Sequence, residues 1–170
     1  WNLIIERAKG SSYSSDLGWR NKYFSSIKLF PLENLTLKLD YAHEEEKNWL
    51  NWIQENLLGT YERTQKETNI SLTYFKGIKH ELRVKAQMVA FTAIKPQAHL
   101  ASINGHLNQS SINLDPFSLG QLAFQVRYRY EFMPLAYLYA VYTRGGKIYE
   151  ADEEDDLGTL YKRPWQDPSK

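Results

Sequence analysis

Cysteine is absent from the 170 residues. That excludes a disulfide framework and any thiolate metal site, and it suits an oxidising periplasm or cell surface. Charge of one sign is lacking as well: 21 Lys and Arg against 20 Asp and Glu leave +1, so no global basic field points to nucleic acid. No apolar run approaches the roughly 18 residues of a transmembrane helix. No signal-peptide pattern opens the chain, whose first residue is Trp1. The expectation is a mature form or a piece cut from a longer protein.

Motifs of chemistry are missing too. There is no GxSxG, and without cysteine no Cys/His pair is possible. His80-Glu81 begins like a zincin motif, but Val84 stands where HExxH needs its second histidine. His43, His99 and His106 have no metal-ligand spacing. The acidic groups Glu44-Glu45-Glu46 and Asp152 to Asp156 offer hard oxygen ligands. They lack the alternate spacing around a glycine of an EF-hand, and read as solvated loops. Gly145-Gly146 is a lone pair at a strand end, not a phosphate loop. No cofactor, no metal site and no enzymatic activity are expected.

What the sequence does have is alternation. In Gly120 to Gly145, Leu122, Phe124, Val126, Tyr128, Tyr130 and Phe132 point one way. Gln121, Gln125, Arg127, Arg129 and Glu131 point the other, with Ala123 among them. Period two is the mark of a strand with one apolar and one polar face. Met133 to Ala136, with Pro134, reads as a tight turn into a second strand ending at Gly145.

The pattern recurs at Trp19–Phe30, Leu35–His43, Thr60–Lys76 and Glu81–Ile94. In the last of these Leu82, Val84, Ala86, Met88 and Ala90 oppose Arg83, Lys85 and Gln87. Trp1 to Ala8 could be the end of another strand. Short turns are expected at 31–34, 77–80 and 134–137. Long polar connections are expected at 44–60 and 95–118, with a polar, acidic tail over 146–170. The segment around Trp49 and Trp52 is left open between a loop and a short helix.

These features predict an all-β chain, an antiparallel up-and-down meander of about six to eight long strands forming a single domain over 1–170. The apolar alternation exceeds the usual strand of about 5–6 residues and matches the roughly 9–11 that cross a bilayer. The leading expectation is a transmembrane β-barrel or part of one. Mean hydropathy of −0.57 does not oppose it, because half of each barrel strand faces a polar lumen.

Arg83, Lys85, Gln87, Gln125, Arg127, Arg129 and Glu131 are then expected to face the lumen. There they either select solutes or pair and fill a closed interior, the second being the heavier reading. Leu82, Val84, Leu122, Phe124, Val126 and Tyr128 are expected to face lipid. Trp19, Trp49, Trp52, Tyr41, Tyr74, Tyr130 and Phe132 are candidates for interfacial girdles. The alternative is a soluble all-β domain, sandwich or lipocalin-like, that binds a ligand or carbohydrate.

At FQVRYRYEFMPLAYLYAVYTRG the sequence resembles the C-terminal region of a family of uncharacterised bacterial outer-membrane proteins. In that family a periplasmic carbohydrate-binding module of the family-9 type precedes a barrel-forming domain of unknown function. The resemblance is carried by Arg127, Tyr128, Arg129, Tyr130, Glu131, Pro134, Leu138, Val141, Tyr142, Thr143, Arg144 and Gly145. It extends in spacing over most of residues 20–146.

The resemblance implies a porin-like place in the outer membrane of a Gram-negative bacterium. It also implies contact with the bilayer and the outer-membrane assembly machinery, and a non-enzymatic channel, transport or scaffold role toward a small solute or carbohydrate. The chain departs from the family in having no such module before the barrel and no terminal aromatic strand at Pro168-Ser169-Lys170, which implies truncation at both ends. In a bacterial protein the triplets at Asn34, Asn69 and Asn108 would match the glycosylation signal by chance.

Overall fold

The computed structural model describes residues 2–9, 19–151 and 158–160. Eight strands run through them: β1 (Asn2–Lys9), β2 (Trp19–Leu32), β3 (Leu35–Gln54), β4 (Leu57–Lys76), β5 (His80–Ala101), β6 (Leu107–Gln109), β7 (Phe117–Met133) and β8 (Ala136–Ala151). All belong to one antiparallel sheet in the order β1-β2-β3-β4-β5-β7-β8, with β6 paired to the far end of β5. The all-β meander is therefore present. Among the described residues β1 and β8 do not pair with each other, and the sheet is open.

The strands are longer than the alternation predicts. β3 continues through Trp49 and Trp52 to Gln54, so the connection expected over 44–60 shrinks to the turn at Glu55-Asn56. β5 passes Pro96 and reaches Ala101, and the irregular link to β7 starts only at Ser102. The residues 146–151, expected in the tail, complete β8. The rest of that tail that is not in 158–160, including Asp152 to Asp156 and Pro168 to Lys170, lies outside the described residues.

Bulges break the alternation at the first two of these extensions, in β3 and β5. β3 and β4 slip register between Glu46 and Trp49, where Asn48 takes a φ of 59°. β4 and β5 slip between Thr60 and Glu62, opposite Lys95 with a φ of 52°. A bulge inserts one residue and reverses which parity faces a given side. Before the first bulge the even residues Asp40, Glu44 and Glu46 share a face; after it the odd residue Trp49 does, opposite Tyr61. A search for strict period two stops at such a point.

The registers sort the side chains into two faces. One carries Leu29, Leu37, Leu72, Val84, Val126 and Tyr142 in a single row across six strands. The next row holds Ile27, Leu39, Ile70, Ala86 and Phe124. On β5 this apolar run spans Leu82 to Ala90, nine residues, or roughly 30 Å along the strand and about 23 Å in height at a barrel tilt near 40°. Leu29, Leu39, Ile70, Leu138 and Tyr142 are exposed, as are Leu3 and Ile5 of β1. The chain exposes 11504 Å², against about 8,700 Å² for a compact monomer of 20.0 kDa.

The opposite face carries Lys28, Lys38, Ser71, Lys85, Gln125 and Thr143 in one row. Residues of five strands on this side line one cavity of ≈ 610 Å³, so the sheet curls toward it. We call this polar side concave and the apolar side convex.

Toward the rim that holds the turn at Glu55-Asn56 the polarity changes sides. Tyr61, Phe91 and Ala93 form a buried cluster on the concave side, with Trp49, Ile53, Leu114, Phe117 and Leu119 packed against it. Trp49 meets Phe91 edge-on at 5.3 Å between ring centroids, and Tyr61 meets Phe117 at 5.4 Å. Edge-to-face pairs add about 0.5–1.5 kcal/mol each to the burial of the rings. Trp49, a girdle candidate in the sequence, instead packs half-buried against this cluster; the bulge turned it inward.

Two glycines test this packing. A Cβ on Gly59 would lie 2.7 Å from Tyr61 Cε2 and 2.8 Å from Leu114 Cδ1, so Gly59→Val is expected to pry the loop at 110–116 off the cluster. At Gly77 (φ +61°) nothing lies within 4 Å, so Gly77→Ala is expected to cost only the backbone term, about 1 kcal/mol. Denaturant titration of both variants checks the order: a Gly59→Val variant as stable as Gly77→Ala would contradict the packing.

Candidate functional site

The candidate site is the concave wall. It is built by the polar parity of β2 to β8, because long strands in one register place every second side chain on the same side. All seven residues expected on a lumen side, Arg83, Lys85, Gln87, Gln125, Arg127, Arg129 and Glu131, share it. The six expected against lipid, Leu82, Val84, Leu122, Phe124, Val126 and Tyr128, share the convex side.

Leu122 needs a correction: it is 2% exposed. On one face of a sheet a side chain falls that low only where another segment lies over it. Ala90, Thr92, Ser118, Gly120 and Gly146 are buried at the same end of that face, so the convex side is covered there. Leu160, in the helical turn 158–160, is also fully buried. The exposed apolar band therefore lies nearer the other rim.

Charge pairing follows the heavier of the two sequence readings in part. Glu81, buried at 5%, bonds Arg83 and lies 3.1 Å from Arg129 Nε. Asp40 accepts from Lys38 at 2.7 Å and from Ser26 at 2.5 Å. Glu131 accepts from the Leu135 backbone N–H at 3.2 Å and steadies the turn there. Arg129 and Arg127 lie over the rings of Tyr137 and Tyr139, at 5.1 and 4.7 Å.

Beyond the apolar band, toward the aromatic cluster, a second charged group sits on the same wall. Glu44 pairs with Arg20 at 3.1 Å and with Arg63, which also reaches Glu46 at 3.1 Å. Burial pushes the Glu46 carboxyl up, against the pull of Arg20. Burial also lowers Arg63, with repulsion from Arg20 adding to it. Glu44 and Glu46 are thus strand residues in ion pairs, not the solvated loop expected, because β3 carries its alternation past His43. Glu45 points to the convex side and bonds His43 at 3.0 Å.

Near the rim of the turns at 33–34, 77–79 and 134–135, the convex side gathers polar aromatics. His80 shares a 2.6 Å hydrogen bond with the Tyr128 hydroxyl and stacks on Tyr130 at 4.7 Å. Tyr74 occupies the row of Leu82 and Tyr128, and Phe132 is exposed one row beyond Tyr130. At the far end Trp52 and Trp19 are exposed, and Tyr41 is exposed within the band.

Sequence reasoning omitted Lys28, Lys38, Asp40, Glu44, Arg63, Glu81, Tyr137 and Tyr139 from the wall. For Lys38 and Asp40 the signal was present, since they alternate with Leu37 and Leu39. Among the described residues no three His, Asp or Glu side chains converge as a metal site, and no helix is long and apolar enough to cross a membrane, which says nothing of strands. Comparison of the chain with family models, curated proteins and solved structures gives no match.

Proposed function

We propose that this chain is part of the wall of a transmembrane β-barrel with a non-enzymatic role. The observation that supports it is the division of one curved sheet, over the half nearer the turns at 33–34, 77–79 and 134–135, into an exposed apolar convex band and a charged concave side. In lipid every backbone polar group needs an internal partner, and paired strands supply it. Exposed Leu, Ile and Tyr on the convex side are costly in water and favourable against acyl chains. The concave side then borders water, and solutes pass along or bind to it.

The resemblance noted from Arg127 to Gly145 adds the outer membrane of a bacterium as the location, its assembly machinery as a partner and channel, transport or scaffold work as the role. Refolding tests this reading. The full chain is expected to stay aggregated in buffer and to gain a β-sheet circular dichroism spectrum and a monodisperse size in detergent micelles. A monodisperse folded monomer without detergent would overturn it. That result would favour the second reading, a soluble ligand- or carbohydrate-binding β domain, for which the buried aromatic cluster on the concave side speaks.

A further inference from the structure

The concave wall holds more cations than its carboxylates neutralise, and two pairs stand directly opposite one another. Lys28 faces Lys38 across β2 and β3, and Arg83 faces Arg127 across β5 and β7. Like charges directly opposite on a sheet destabilise it, so their presence asks for a compensating charge. Asp40 and Glu81 supply part of it, to Lys38 and to Arg83 with Arg129. Lys28, Lys85 and Arg127 form no ion pair among the described residues, and all three are exposed on the wall.

Their surroundings suit a ligand rather than bulk solvent alone. The ≈ 610 Å³ cavity is lined by Lys38 and Lys85, by Asp40, which pairs with Lys38 at 2.7 Å, and, between and beside them, by Asn69, Ser71, Gln87, Gln125 and Thr143. The Ser71 and Thr143 hydroxyls and the Gln125 amide there can donate to oxygen atoms that the cations attract, whereas Asn69 and Gln87 already donate to Glu67 Oε1, at 2.9 and 3.0 Å. Arg127 lies over the Tyr139 ring at 4.7 Å and forms no ion pair among the described residues; a guanidinium so placed has N–H donors to offer a bidentate anion contact. Lys38 and Lys85 sit on strands separated by β4, about 10 Å apart at the backbone. A curved, low-dielectric wall focuses the potential of such a group.

We propose that this cationic band is a binding subsite for small, multiply charged oxyanions, with phosphate or carboxylate groups spaced to meet Lys38 and the Lys85/Arg127 pair together. The proposal deepens the reading of this side as a water-facing lumen wall and rests on it for the ligand's route of access.

The test uses the full chain refolded in uncharged detergent micelles, with tripolyphosphate as probe and the neutral trisaccharide maltotriose as control, by titration calorimetry at low salt. Tripolyphosphate is expected to bind and maltotriose not, with affinity falling as sodium chloride is added. Lys85→Gln with Arg127→Gln is expected to weaken binding by about tenfold or more, as the loss of charge-assisted hydrogen bonds implies. Lys66→Gln, on the convex side, is expected to leave it unchanged. Circular dichroism on each variant separates lost binding from lost folding, and Lys85→Arg, which keeps the charge, is expected to restore most of the affinity.

No binding of tripolyphosphate to the folded chain, equal binding of maltotriose, or equal weakening by Lys66→Gln would overturn the proposal. Should the chain fold only in buffer, the barrel reading fails, and the same titration performed there still decides whether the wall binds oxyanions.

Discussion

Phe91→Ala is expected to cost about 3–5 kcal/mol, the range for emptying an aromatic site in a packed core. Phe91 is 9% exposed and sits between Trp49 and Phe117, with centroids at 5.3 and 5.7 Å. Removing its ring deletes both contacts and leaves a cavity that Trp49, Tyr61 and Phe117 cannot all close, since β3, β4 and β7 fix their backbones in register. The loop at 110–116, tied to the cluster through Leu114, is expected to loosen with it. Denaturant unfolding gives the free energy, and proteolysis within 110–116 reports the loop. A loss under about 1 kcal/mol would mean that the cluster is not a packed core. This expectation holds in micelles or in buffer, because the cluster lies on the concave side either way.

The second large effect depends on the bilayer. Val126→Arg is expected to cost about 2–4 kcal/mol near the bilayer midplane, while Gln125→Arg costs far less. Val126 stands in the convex row with Leu29, Leu37, Leu72, Val84 and Tyr142, deep within the apolar band. Its neighbour Gln125 lies on the concave wall beside Lys85 and Thr143. A guanidinium on the convex side has to leave water or drag water into lipid. On the concave side it keeps its hydration, though it meets the repulsion of Lys85 and Arg127. Folding titrations of both variants in lipid vesicles measure the difference, and equal costs would remove the assignment of the convex side to lipid. Leu122→Arg does not belong in this comparison, since Leu122 is covered within the chain.

The two expectations probe different ends of one sheet. The end with the turns at 33–34, 77–79 and 134–135 has its apolar side outward and its charges inward. At the other end the aromatics turn inward, and the convex side holds small and polar residues such as Thr92, Ser118 and Gly120. The bulges at Asn48 and Lys95 stand at this change. Each raises the local twist; the one at Asn48 brings Trp49 to the concave side, where Tyr61, Phe91 and Phe117 arrive in the same parity as the polar wall.

Alternation by itself determined the all-β meander, the cores of its long strands and the two side-chain sets of β5 and β7. Period two is a local property, and residues such as Val84 and Lys85 report it without any knowledge of their neighbours. What only the tertiary structure decided depends on pairing across strands. Trp49 packs against the aromatic cluster on the concave side because a left-handed residue at Asn48 flipped its side. Leu122 is covered, although its pattern matches Val126. Lys28 meets Lys38, and Arg83 meets Arg127, because register brings together residues 10 and 44 positions apart, and no window along the chain contains both a residue and its cross-strand partner's charge environment.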